Sequence, residues 1–491
     1  MALREYRPEQ KFLFWSPPQD VLPPDHLCFI VDDLVEALDF SLLPDRSKTP
    51  GSPAYDPRLL VKVLFYGYAT GTFSSRKLMR ACREQLPYTY LTRQQYPDHR
   101  TISDFRKNNL EFVRGAFREI VKMAIEIGVV KLGTVALDST RIRANASREA
   151  TIKTESIDEE IERALEEGIE EDEREDEEYG RDKTGDEQPE GLRSPEERQK
   201  RLKKIKARMR RLERAKEVTE GTGRKCVNIT DPEARFEQKG NALMPVYNVQ
   251  ALCNEEGVIV EAFVHDNAAD YEGLPRALEE VKAEVGELPE RLLADSGYYT
   301  KKNLEYLKRE GIEGYLPSSE QAREAKDKYE PRRYSKDKFR YDEERDVYVC
   351  PEGKELRYWR MDRTGGNRLY RGERCKGCPA LKECVRGKKP YRVLSRWEKE
   401  PLMTEMRERM ESEEGKRIYS KRKTMTEPDF GHIKKNLGFR QFLLRGRRGA
   451  EIEWLLLCIG INMRKIGKYL RRLFKPGGGG IGLEEVYVGA A

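Results

Sequence analysis

Apolar residues recur at helical spacing through residue 128, and the start signals between them predict an all-α N-terminal domain over residues 1–128. Asp56-Pro57 makes an N-cap and first-turn pair that opens PRLLVKVLFYGYAT. A second helix starts at Ser74. A third runs from Thr101 to Ile127, with Phe105, Leu110, Val113, Phe117, Ile120, Val121 and Ile125 on its apolar face. At Val129 the period changes. VVKLGTVALDST is short and rich in β-branched residues, and it reads as a buried strand ending at Asp138. Strands recur at MPVYNVQALCN and GVIVEAFVHDN. They are followed by the helix GLPRALEEVKAEV, the strand RLLADSG ending at Asp295, the helix KKNLEYLKRE and the strand EGYLPS.

Three strands, helix, strand, helix, strand is the order of an RNase H-like α/β core. The fold class is therefore α/β, with an RNase H-like catalytic core, an all-α N-terminal domain and two insertions. The first part of the core spans 129–318 and carries a charged helical insertion at 150–240. A Cys-containing insertion spans 319–400, the last part of the core with basic helices spans 401–475, and 476–491 is a flexible tail. The GGGGIG of that tail is no phosphate loop, since no Gly-Lys-Ser/Thr follows it. Inside the first insertion, Ile157, Ile161, Leu165 and Ile169 recur every four residues. After a Gly- and Pro-containing break, Ser194-Pro195-Glu196-Glu197 forms a capping box before a basic helix with Leu202, Ile205, Met209 and Leu212 at heptad-like spacing. Two readings are open here: an acidic and a basic helix paired as an antiparallel hairpin, or two solvated segments.

Charge changes the picture. The chain has 491 residues, 93 Lys and Arg against 87 Asp and Glu, and a formal charge of +6. Residues Glu155 to Glu178 hold 15 acids and two bases, so the remainder sums to +19. Between Lys416 and Lys475 there are 17 Lys and Arg and four acids. This is a basic body with one acidic insert, a distribution suited to nucleic acid. MALREYRPEQKFLFW has no basic head before an apolar run, and no stretch approaches the ~18 apolar residues of a membrane span. A cytoplasmic protein is expected, with its nine cysteines as thiols or metal ligands rather than disulfides.

Asp138 follows the apolar TVAL, and a carboxylate at the end of a buried strand requires a metal ion or an arginine beside it. Arg141 and Arg143 are the structural alternative. Asp295, in LLADSGYY, sits at the same kind of place, and both strand ends would lie at one edge of a mostly parallel sheet. Two such aspartates repel, and a hard divalent cation compensates them. A third carboxylate, needed to hold a second ion for in-line phosphoryl transfer, is offered by Glu427. Asp266 and Asp270 rival Asp295 for the second acid. Glu413 and Glu414 rival Glu427 but read as helix-surface charges.

ALDSTRIRANAS, LLADSGYYT and KRKTMTEPDFGHIKKNLGFRQFLLRG, in that order, resemble the three catalytic blocks of DDE transposases of bacterial insertion sequences. YDPRLLVKVLFYGY and PDHRTISDFR look like the helical N-terminal module of the same branch, so the resemblance runs over most of the chain. It implies a triad of Asp138, Asp295 and Glu427 holding two Mg²⁺ (or Mn²⁺) ions. It also implies double-stranded DNA as partner, both transposon ends and target, and a homodimer. The family's C-terminal signature is Tyr, two residues, Arg, three residues, Glu, six residues, Lys. Tyr419, Glu427 and Lys434 match in kind. Arg422 lies four residues from Glu427 and Lys423 three, so either is the phosphate-gripping base. Trp359, among bases in the second insertion, either stacks on a flipped DNA base, as an insertion-domain aromatic does in some related transposases, or packs its own small domain.

Cys350-Pro, Cys375-Lys-Gly-Cys378-Pro and Cys384 lie in a segment too polar to fold on its own core. They form either a structural zinc site or a set of free thiols. Two other functions remain to be distinguished from transposition. One is a non-catalytic DNA-binding protein derived from such an enzyme. The other is a different RNase H-like nuclease.

Overall fold

Side-chain caps at His26, Asp56 and Asp98 start three of the N-terminal helices. The structure is a computed structural model whose described residues are 18–44, 54–179, 196–240, 242–265, 270–325, 333–363, 366–385 and 389–473. The tail expected after residue 475 lies outside them. The chain opens with α1 (Pro18–Val21), α2 (Leu27–Glu36) and α3 (Pro57–Thr70). Asp56 caps α3 by accepting from Arg58 N at 2.8 Å, and Pro57 occupies the first turn. The helices α4 (Ser75–Glu84) and α5 (Leu86–Leu91) follow. The single helix expected from Thr101 to Ile127 is two, α6 (His99–Asn108) and α7 (Leu110–Glu126). The break is at Asn109, with φ −113° and ψ 49°. Its side-chain amide donates to Phe105 O at 2.6 Å and so competes with the main chain for that carbonyl.

The core strand β1 (Thr134–Arg143) does not end at Asp138 but runs five residues past it. The reason lies in its two neighbours. Pairing with one stops at Leu137 opposite Ala294, and pairing with the other continues to Arg143 opposite Val246. The first insertion then begins with β2 (Thr151–Lys153), α8 (Ile157–Tyr179), α9 (Glu196–Thr219) and β3 (Cys226–Asn228), in which β2 and β3 form an antiparallel ribbon. The acidic and basic helices do pair. Arg208 bonds Glu160 at 2.6 Å and Glu167 at 3.0 Å, and Lys216 meets Asp158 at 2.8 Å. Ile157, Ala164, Leu212 and Ala215 are buried, whereas Leu165 and Ile169 stay exposed, so the four-residue stripe is only partly the seam. Ser194, the expected cap, lies outside the described residues.

After the hairpin come β4 (Arg235–Lys239), β5 (Ala242–Asn254), β6 (Ile259–His265), α10 (Gly273–Val285), β7 (Arg291–Ala294), α11 (Lys301–Glu310) and β8 (Glu313–Tyr315). The sheet runs β4-β5-β1-β7-β8, and β6 also pairs with β5 on the β4 side. Strand β5 is antiparallel to β1 and to β6, whereas β7 is parallel to both β1 and β8.

The second insertion is a separate antiparallel sheet. It contains α12 (Gln321–Glu324), β9 (Arg340–Asp342), β10 (Val347–Val349), β11 (Glu355–Met361), β12 (Arg368–Gly372), α13 (Leu381–Cys384) and β13 (Val393–Arg396). Its order is β13-β12-β11-β10-β9 around a small core of Tyr334, Phe339, Tyr348, Leu356, Tyr370 and Leu394. The chain closes with α14 (Glu400–Glu411), α15 (Glu413–Gly431), a π-helical turn His432–Asn436, and α16 (Gly446–Leu473). The long α16 packs against α3, α7 and β6, joining the N-terminal helices to the sheet. Among the described residues, no helix is long and apolar enough to cross a membrane.

One buried acid in this core sets a pH dependence. Glu261 on β6 is pushed up to about 8 by burial and by the neighbouring Glu280, against the attraction of Arg118 and Arg276. Its folded pKa lies above its unfolded value of about 4.5, so the folded state holds a proton that the unfolded state has released. Stability therefore falls as pH rises through that window. Glu261→Gln is expected to flatten this decline and to be the more stable protein above about pH 8, by up to about 5 kcal/mol. Urea midpoints of both proteins on the two sides of that window measure it.

Candidate active site

Asp138 lies where β1 and β7 part company, so its carboxylate opens into the crevice beyond the carboxyl ends of two parallel strands. Everything before it on the strand, Val135, Ala136 and Leu137, is fully buried. Oδ1 accepts from Ser139 N at 2.8 Å, and Oδ2 accepts from Arg422 Nη1 at 2.8 Å and Thr426 Oγ1 at 3.0 Å. Arg422 and Thr426 are four residues apart on α15, hence on one face of that helix. The ion pair is shielded: the side chains of Arg422 and Asp138 are 12% and 14% exposed.

Asp295 is the first residue after β7. It turns back on itself, accepting from Gly297 N at 2.8 Å. A Cβ on Gly297 would stand 2.9 Å from Asp295 Oδ1, so a side chain there would push the carboxylate out of this turn. Burial pushes the Asp295 carboxyl up. The negative charges of Asp138 and Asp270 add to that, and the Gly297 N–H and Arg422 oppose it. Glu427, on α15, is 56% exposed, with Oε1 4.0 Å from Arg422 Nη2. The Arg422 guanidinium thus lies between Asp138 and Glu427.

Of the two candidate bases, Arg422 contacts the acids and Lys423 is exposed. Tyr419 is one helical turn before Arg422, its ring centroid 5.9 Å from the guanidinium carbon. Lys434, in the π-helical turn, donates from Nζ to Thr140 Oγ1, two residues beyond Asp138 on the same face of β1. Burial lowers the Lys434 pKa, and Lys239 and Arg141 add to that effect. Glu413 and Glu414 pair with Lys416 and Arg417 in the first turn of α15, and both are exposed. Asp266 lies outside the described residues.

Trp359 sits at a β-bulge between Tyr358 and Arg360 on β11, 36% exposed. The guanidinium carbons of Arg360 and Arg371 lie 4.3 and 5.0 Å from its ring centroid, and Tyr391 meets it edge-on at 6.2 Å. Elsewhere in the same insertion, Cys350 Sγ accepts from Lys354 N at 3.2 Å. The Cys384 thiol is pushed up by burial, with Cys375, Cys350 and Cys378 as electrostatic neighbours, and Cys350, Cys378 and Cys384 pack against the small core. Cys28, Cys82, Cys253 and Cys458 are buried in the main core.

Among the described residues, no group of three or more His, Cys, Asp or Glu side chains is drawn close enough to hold a metal ion. The chemistry of the donors at Asp138, Asp295 and Glu427 nonetheless fits a hard divalent cation: all are carboxylate oxygens, and Asp295 is raised by burial with the charge of Asp138 adding to it. The place a cation would take beside Asp138 is held by Arg422, so metal binding requires that guanidinium to share or yield Asp138 Oδ2. Sequence reasoning missed two neighbours of this site, Thr426 and Tyr298, and took Asp270 only as a rival of Asp295. The first has a sequence signal in its four-residue spacing from Arg422.

Comparison with known families gives two matches. A profile described as "Transposase DDE domain" matches residues 349–467, and one described as "Transposase domain (DUF772)" matches residues 17–108. The first spans Glu427, Arg422 and the four insertion cysteines, and the second covers most of the N-terminal helices. No curated protein matches the chain significantly.

Proposed function

We propose, for a chain that belongs to the DDE transposases of insertion-sequence type, that Asp138, Asp295 and Glu427 are the acidic triad of an RNase H-like core. In this reading the protein, as a homodimer, binds the terminal inverted repeats of its element, then cleaves and transfers DNA strands. The observation that carries the reading is the meeting of Asp138 and Asp295 at the ends of adjacent parallel strands, with α15 fastened onto Asp138 through Arg422 and Thr426. The strand order β6-β5-β1-β7-β8, with only β5 reversed, supports the RNase H-like assignment.

Two Mg²⁺ or Mn²⁺ ions bound at these carboxylates would supply Lewis-acid stabilisation of the attacking and leaving oxygens of the phosphodiester. The chain's own groups do the rest. Ser139 N and Thr426 Oγ1 fix the orientation of Asp138. Arg422, backed by Tyr419, and Lys434 line the rim as phosphate contacts, and the basic helices after Lys416 track the backbone. Trp359, bulged outward between two guanidinium groups, is a platform for an unstacked base, a contact of about 1–3 kcal/mol. The N-terminal helices read sequence, dimerise, or do both.

Strand nicking of a duplex carrying the element's end is expected with Mg²⁺ or Mn²⁺. It should vanish on chelation and return when either ion is restored, while binding persists throughout. Nicking that survives chelation would reject the metal-dependent reading. The four cysteines Cys350, Cys375, Cys378 and Cys384 are proposed to hold a structural zinc, supported by their shared position and the N–H to sulfur bond at Cys350. The expected metal content of purified protein is about one zinc per chain; a content near zero removes the proposal.

A further inference from the structure

The chain that follows β6 carries a fourth acid to the same crevice. Asp270 stands three residues ahead of α10, two before the N-cap residue Glu272, and its side chain is available to do something other than cap the helix. Asp270 Oδ1 accepts from Asn248 Nδ2 at 2.6 Å. Only its main chain serves the helix. The Asp270 carbonyl accepts from Gly273 N at 3.0 Å and from Gln250 Nε2 at 3.3 Å.

Asn248 and Gln250 are alternate residues of β5 and are 1% and 0% exposed. Burying two amides on an otherwise apolar strand costs free energy unless they bond something, and both bond Asp270. Asn248 holds the Asp270 carboxylate and Gln250 its main-chain carbonyl.

The held carboxylate faces Asp295. The point where a Cβ of Gly297 would stand lies 2.9 Å from Asp295 Oδ1 and 3.5 Å from Asp270 Oδ2, so both acids crowd one turn. Neither has an ion-pair partner among the described residues, since Arg422 bonds Asp138. Beneath them Tyr298 is fully buried. Its hydroxyl lies within electrostatic range of Asp270, Asp138 and Asp295 and has no hydrogen-bond partner of good geometry. Two adjacent carboxylates over a buried, unpartnered hydroxyl make a site short of one positive charge.

We infer that Asp270 is a further catalytic carboxylate, which takes a divalent cation jointly with Asp295 while Asn248 holds it in position. This rests on the assignment of Asp295 to the acidic triad. The ligand class is a hard, oxygen-preferring cation such as Mg²⁺ or Mn²⁺.

The test is titration of the full-length protein, free of DNA, with Mn²⁺ followed by electron paramagnetic resonance, alongside cleavage of an end-containing duplex. Asp270→Asn is expected to weaken Mn²⁺ binding by about 10- to 100-fold and to slow cleavage. Asn248→Ser leaves every acid in place and removes only the donor that orients Asp270. It is expected to weaken Mn²⁺ binding to a smaller extent with DNA binding unchanged, and it carries the test if Asp270→Asn does not fold. Wild-type Mn²⁺ affinity in the folded variants would overturn the inference, with the triad still standing if Asp295→Asn is inactive. Wild-type Mn²⁺ affinity and cleavage in Asp295→Asn would instead sink the triad assignment beneath it.

Discussion

Asp138→Asn is expected to stop cleavage of an end-containing duplex, a loss on the order of 10³-fold or more, with DNA binding intact. The magnitude follows from what the carboxylate would do: several kcal/mol of charge stabilisation depend on cations it holds, and about 1.4 kcal/mol is a factor of ten in rate. The substitution keeps the shape of the side chain, so Val135 to Leu137 stay packed. It removes the negative partner of Arg422, whose guanidinium is mostly shielded from water, and that arginine must then turn toward Glu427, already 4.0 Å away. A modest drop in thermal stability should accompany the loss of activity. Single-turnover cleavage of a labelled duplex, with binding measured on the same sample by mobility shift, separates the two effects. Cutting at near the wild-type rate would reject Asp138 as a member of the site.

Glu453→Gln is expected to destabilise the protein by about 3–5 kcal/mol, the range seen when one partner of a buried ion pair is removed. Glu453 on α16 is 0% exposed, and its two oxygens have different tasks. Oε1 accepts from Tyr68 Oη at 2.6 Å and lies 3.5 Å from Arg106 Nη1. Oε2 accepts from Leu443 N at 2.6 Å and Leu444 N at 2.9 Å. All of these partners are donors, so a glutamine amide placed at either oxygen faces donors with a donor. Arg106, 4% exposed, would keep Phe73 O at 2.8 Å and Tyr68 Oη at 3.0 Å but lose its counter-charge. This network ties α3 and α6 of the N-terminal region to α16 and the segment before it, so its loss should loosen the whole molecule. The urea midpoint should fall with little change in slope. A change below about 1 kcal/mol would mean that packing of α16 on α3 and α7 alone secures the junction.

Much of the architecture is legible in the chain because it depends on local period and local capping. Asp56-Pro57 opens α3 by chemistry complete within three residues. VALD and LLAD read as buried strands carrying an acid at the mouth of the sheet, because three apolar residues in a row before a carboxylate leave few other environments. The near-neutral total of +6 resolves, already in the sequence, into an acidic stretch and a basic body. The pairing of α8 with α9 then places part of the opposing charges against each other through Arg208, Glu160 and Glu167.

What the tertiary structure alone decides is everything that depends on register between distant segments. Whether β1 ends at Asp138 or continues to Arg143 is settled by β5, more than 100 residues later, which goes on pairing after β7 has stopped. The choice between Arg422 and Lys423 as the base beside the acids is a matter of about 100° of helix rotation, set by how α15 lies on the sheet. The sequence weighed Asp270 only as a rival to Asp295; the structure makes them neighbours, because the turn at Gly297 and the amides of β5 bring together two carboxylates 25 positions apart. By itself the sequence determined most helices and strands of the central core, where the charge lies and which acids follow buried runs, since each of these is written in neighbouring residues. Which side chains then share a few ångströms is a property of strand pairing and helix docking. No local pattern encodes that, because the energy selecting it is the burial of faces that meet only when the chain has folded.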